Sequence, residues 1–222
     1  MANPNAPHGL QPVQNSSGVA YSGGGNLYWI PSTDAVAYYV GDIVTTIGTT
    51  SGSDANGVPQ VKRAANGAVT SQQIRGVIVG IQVAPIGVGI GAVSNANAVN
   101  LNVQYVPATK ANDYYVIVAD DPNLIFEIQG DNSTTLNQAT GGAGSTPIPG
   151  SNAGYNQAAP SNVNGPLSGS TLTTGSFATT STLPLKVLSL PYRPNVDYTA
   201  NTPFYVMINT HELGHGAGTT GV

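Results

Sequence analysis

The sequence predicts an all-β chain, a barrel or jelly-roll-like sandwich, and three observations predict it. Short β-branched runs recur along the 222 residues. Turn-forming residues separate these runs. No window of a dozen residues keeps a helical period without a glycine, proline or β-branched interruption.

Taken in order, residues 1–26 are rich in proline, glycine, asparagine and serine and carry almost no apolar period. They read as an extended N-terminal arm, and residues 27–222 as the β-domain. Strands are expected at 37–47, 58–62, 75–83, 99–106, 114–119, 124–129, 182–190 and 204–210. Turns are expected at 53–57, 66–67, 120–123 and 131–133. Within the last strand Phe204, Val206 and Ile208 share one face. In the strand before it, Leu183, Leu185 and Val187 face together, and then Leu188 and Leu190 switch sides. That switch predicts a bulge or a strand covered on both faces, and Pro184 predicts an edge or bulge at its start. Residues 140–170 form a Gly/Ser/Asn-rich irregular insertion, unusually long for a compact domain. A chain of this composition buries too little apolar surface to order itself. Both irregular stretches are therefore expected to take their order from a neighbouring protein chain.

Charged residues make up only 7% of the chain, against about 25% in a typical domain. The expected surface is neutral, polar and small, and loses little desolvation energy when another protein covers it. The formal net charge is −4 and the six basic residues form no stripe, so nucleic acid is not an expected partner. Cysteine is absent, which excludes disulfides and thiolate metal sites. The N-terminus lacks the basic and apolar regions of a signal peptide, and no stretch approaches the ~20 apolar residues of a spanning helix. Assembly in the cytoplasm, away from membranes, is the expectation.

One motif carries chemistry. His211-Glu212-Leu213-Gly214-His215 spells H-E-x-x-H, the zinc-protease pattern in which two imidazoles project from one helix face and the Glu polarises a metal-bound water. Gly218 extends the match, but Gly221 stands where a third histidine ligand belongs. Glycines within and behind the motif also oppose a helix. It reads as a glycine-rich tail after the last strand, with zinc metalloprotease as a lesser alternative. Asp120-Asp121 reads as a turn rather than a calcium or acid/base pair. Gly87–Gly91 lacks the lysine and helix of a phosphate loop, and Asn132-Ser133-Thr134 spells a glycosylation sequon only. The eleven tyrosines and Trp29 suit half-buried strands, a protein interface or a glycan platform. No catalytic residue, cofactor or metal site is assigned.

Several segments resemble a family of tailed-bacteriophage virion proteins encoded beside the major capsid protein. They are the opening thirteen residues, Tyr28-Trp-Ile-Pro-Ser-Thr-Asp34, Tyr39-Val-Gly-Asp42, Asn56-Gly-Val-Pro59, Gly76-Val-Ile-Val-Gly80, Val118 to Gln129, Leu183-Pro-Leu-Lys-Val187 and Val206-Met-Ile-Asn-Thr-His211. They are collinear over nearly the whole chain, least so in the Gly/Ser loop. Neither Glu212 nor His215 is a fixed feature of that family. The resemblance implies a capsid cement, or decoration, protein on the outer shell. Its expected partners are the major capsid protein and itself, with a homodimer favoured over a trimer. The competing expectation is a virion-surface carbohydrate-binding or adsorption module.

Overall fold

Strand formation follows the β-branched runs. The computed structural model describes residues 3–48, 52–67, 72–82, 105–133, 136, 148–160, 166–194, 196–214 and 218–221. The strands are β1 (Gln11–Asn15), β2 (Asn26–Ile30), β3 (Tyr38–Tyr39), β4 (Ile43–Thr46), β5 (Val61–Arg63), β6 (Gly76–Gln82), β7 (Tyr105–Val106), β8 (Tyr114–Ala119), β9 (Leu124–Gln129), β10 (Asn152–Asn156), β11 (Thr171–Ala178), β12 (Leu185–Ser189) and β13 (Pro203–Ile208). No helix occurs among the described residues. A six-stranded sheet runs β1-β9-β13-β12-β10-β11, a five-stranded sheet β2-β8-β6-β4-β5, and β3 pairs with β7. The sheets are antiparallel and pack as a sandwich, and none closes into the barrel that the sequence left open. One parallel bridge, Trp29 to Gln60, links the β2 edge back towards β5 without forming a ladder.

Two apolar clusters explain the two kinds of strand. The larger lies between the sheets: Phe126, Ile128, Phe204, Val206, Leu185 and Val187 meet Ile43, Val77 and Ala119. The smaller covers the other face of the five-stranded sheet, with Tyr28, Val44, Ile78, Val116 and Val118 under Tyr38 and Val106 of the small sheet. Ile43 and Val44, like Val77 and Ile78, are therefore consecutive and fully buried, as a strand covered on both faces requires. In β13 the predicted alternation holds, with Phe204, Val206 and Ile208 inward. The predicted break in β12 is a register shift between Val187 and Ser189. Pro184, however, marks no edge. β12 is internal, and Pro184 precedes the ladder, where its missing N–H costs nothing.

The irregular stretches require correction. The arm expected at 1–26 is folded onto its own chain from residue 3 onwards. The Asn3 side chain donates to the Asp197 and Ala200 carbonyls, at 3.1 and 3.0 Å, Leu10 is fully buried in the larger core, and β1 pairs with β9. Gly9 and Gly41 make the crossing possible. Both have positive φ, +71° and +95°, and the Leu10 N–H donates to the Gly41 carbonyl at 3.1 Å. A Cβ on Gly9 would stand 2.3 Å from that carbonyl oxygen. Within the insertion expected at 140–170, β10 is an internal strand held by β11 and β12 on either side. Asn152, fully buried, donates its amide to the carbonyls of Thr180 and Thr219. Residues 140–147 and 161–165, the 87–91 glycine segment, 99–104 of one expected strand, Thr134 of the sequon and His215 lie outside the described residues.

Sheet edges are covered from within. Val19 and Tyr21 exchange backbone hydrogen bonds with Asn15 and Val13 along the free side of β1. The Trp29 N–H of β2 donates to Pro59. Along β11, Asp131 donates its N–H to Leu172 and accepts from Thr174 N–H, and the Ser133 hydroxyl accepts from Gly175 N–H. These contacts blunt the edges against strand addition.

Candidate functional site

The H-E-x-x-H segment forms no helix through its described residues. Thr210 and Glu212 run parallel to Ile74, exchanging backbone hydrogen bonds of 2.9 Å, and a turn follows at Glu212 and Leu213, closed by the Gly214 N–H donating to the His211 carbonyl at 3.2 Å. This zips the end of β13 to the start of β6. Arg75, next to Ile74, then reaches Asp120 at the end of β8 (3.4 Å), Glu212 (4.0 Å) and the Tyr28 hydroxyl, with its guanidinium 5.3 Å from the Tyr28 ring centre. The result is a charged seam where one end of each sheet meets.

Glu212 is bound as a brace. Its Oε1 accepts from the Thr45 hydroxyl (2.7 Å) and the Thr46 N–H (2.9 Å), and its Oε2 from the Thr46 hydroxyl (2.7 Å). Asp120 accepts from the Tyr28 hydroxyl at 2.6 Å and the Asn26 amide at 2.8 Å. Burial, followed by these Asp120 interactions, pushes the Tyr28 hydroxyl far above its ordinary value, so it donates and is no phenolate base. His211 is 1% exposed. Its Nδ1 accepts from Leu213 N–H at 3.0 Å, which places the ring proton on Nε2. Nε2 is buried without a partner among the described residues. Burial, and then Arg75, hold this imidazole below its usual value. No group of three or more metal-ligating side chains is assembled among the described residues.

A second polar cluster lies under the small sheet. Asp42 is fully buried, accepts from the Ser168 hydroxyl at 2.6 Å and from Tyr39 N–H at 3.0 Å, and stands 3.7 Å from Arg63. Desolvation raises its carboxyl above the ordinary value despite Arg63. Ser168 is also fully buried, so the pair presents no nucleophile to solvent.

The same pattern covers six further acids. Carboxylates of Asp34, Asp54, Asp113, Asp121, Glu127 and Asp131 accept hydrogen bonds from Tyr38, Tyr115, Trp29, Asn15, Arg193 and Thr174 respectively. The expected turn at 120–123 connects the two sheets and is capped by Asp121, which accepts from Asn123 N–H at 2.9 Å. Sequence reasoning missed Arg75, Tyr28 and Asp42 as partners. The available clue was their setting, since a lone charge beside an apolar run in so neutral a chain needs an internal counterpart. Large apolar groups on the surface include Tyr192, Val19, Leu213, Tyr105 and Val36. Tyr105 stacks on Tyr39 with ring centres 5.4 Å apart.

No protein-family model matches the chain, and neither a curated protein nor a solved structure matches it.

Proposed function

We propose that this chain is a structural cement protein of a tailed-phage capsid, binding the outer shell across neighbouring major capsid proteins. The observation that carries the reading is the inward use of charge. Most carboxylates, which would otherwise decorate the surface, brace turns and strands of the same chain, and few charged side chains are left outside. Such a surface is cheap to desolvate when a partner covers it. The collinear virion-protein segments described above support the same reading.

The structure changes the expected manner of attachment. Extended segments adding strands to capsid edges no longer suit a chain whose residues 11–15 already pair with its own β9 and whose β1, β2 and β11 edges are covered. Attachment is assigned to exposed loops and side chains, with several modest contacts per subunit adding through effective concentration. Self-association, a dimer first, belongs to the proposal because capsid symmetry axes present paired sites.

The test is co-sedimentation of the purified protein with capsids that lack it, followed by imaging of the decorated particles. Bound protein at fixed lattice positions and a raised shell disruption temperature are expected. Absence of binding by folded protein would refute the proposal.

A further inference from the structure

We propose that the cleft between the β1–β2 connection and the 120–123 turn is a binding site for a neutral saccharide. This goes beyond the capsid reading and does not depend on it. The cleft is open to solvent and has a volume of about 510 Å³, within the usual range for small-ligand sites. Tyr21 and Leu124 give it apolar wall, and Asn15, Asn26, Asp120 and Asp121 give it polar groups.

The chemistry of that lining selects the ligand. A sugar hydroxyl donates one hydrogen bond and accepts two, so it needs donors and acceptors side by side. Carboxylate next to amide supplies both, at Asp121 with Asn15 on the open side and at the more buried Asp120 with Asn26 behind it. Asp121 Oδ2 accepts from the Asn15 amide at 3.0 Å, and Asp120 Oδ1 from the Asn26 amide at 2.8 Å. Asp121 is exposed and accepts three bonds, from Asn15 and twice from Asn123, of the roughly four that a carboxylate can take. It therefore keeps capacity for a ligand hydroxyl. The Tyr21 ring packs partly on the core and its hydroxyl donates to the Gly24 carbonyl at 2.6 Å, which fixes the ring as a flat apolar wall.

The walls are already joined. Besides the two carboxylate–amide pairs, Ser16 N–H donates to the Asn123 carbonyl at 2.8 Å. A cleft held in shape by its own bonds loses little ordering entropy on binding. Charge sets the specificity. Asp120 is matched by Arg75 at 3.4 Å, whereas no basic side chain among the described residues pairs with Asp121. The uncompensated carboxylate repels uronates, sialates and phosphorylated sugars.

The experiment presents the full chain to an array of neutral and acidic glycans, then titrates the best neutral ligand into isotopically labelled protein. Binding of neutral glycans alone is expected, with amide shifts confined to 15–26 and 120–124. Ala20→Trp adds bulk at the exposed rim of the cleft and leaves both carboxylate residues unchanged. It should weaken binding about tenfold or more while melting as the parent does. Asp121→Asn should weaken neutral-glycan binding on the order of tenfold, as loss of a charged acceptor does, and relax the discrimination against acidic glycans. The proposal is overturned if the folded parent binds no neutral glycan, if the shifts map elsewhere, or if Ala20→Trp binds like the parent.

Discussion

Replacing Glu212 separates a structural brace from a catalytic carboxylate. Glu212 accepts three hydrogen bonds, two of them from side chains on β4. Hydrogen bonds to a charged acceptor contribute about 1.5–3 kcal/mol each. Thr45 is 7% exposed and finds no replacement partner in water, whereas Thr46 is half-buried and partly does. Glu212→Ala should therefore cost about 3–4 kcal/mol. For a chain of this size that is a fall of about 10 °C in Tm, at roughly 2–4 °C per kcal/mol. Glu212→Gln keeps an oxygen for Thr45 and the Thr46 N–H, and its amide can donate to the Thr46 hydroxyl. It loses chiefly the charge facing Arg75, 4.0 Å away and partly exposed, and should cost only about 1 kcal/mol. Urea and thermal unfolding followed by circular dichroism measure both. The brace would be refuted if Glu212→Ala melted within about 0.5 kcal/mol of the parent, or if the two variants were equally destabilised.

Two other expectations follow from the fold. Leu10→Ala removes a fully buried side chain from the larger core and should cost about 2–5 kcal/mol in urea unfolding; unchanged stability would mean that the N-terminal segment is a detachable arm after all. Burial holds both His8 and His211 below the ordinary value of 6.5. Below that pH the unfolded chain binds more protons than the folded one, so stability should be flat above about pH 7 and fall as the pH drops from 6.5 towards the folded-state values. Urea midpoints between pH 7.5 and 5.5 should show this slope, and His211→Gln should reduce it; a midpoint rising with acidity across that window would contradict the assignment.

Much of the β character was legible from local pattern. Strands β8, β9 and β13 coincide with β-branched runs whose neighbours in sequence are turn residues, and the β12 irregularity was visible as a switch of face at Leu188. These features depend on side-chain alternation, a short-range property. Strands β1, β2, β10 and β11 were not legible. Asn152-Ala-Gly-Tyr-Asn156 has little intrinsic strand preference, and becomes a strand because β11 and β12 supply hydrogen bonds on both sides. The N-terminal segment looks unstructured because its order comes from long-range partners, namely Gly41, β9 and the 197–201 loop.

The sequence by itself determined an all-β chain with few charged residues and an H-E-x-x-H motif short of its third ligand. Only the tertiary structure decided what the rare charges do. Arg75, Asp120 and Glu212 lie far apart along the chain and meet where two sheets join. A carboxylate's role depends on the donors brought within about 3 Å of it, and such proximity is settled by strand pairing across the whole chain.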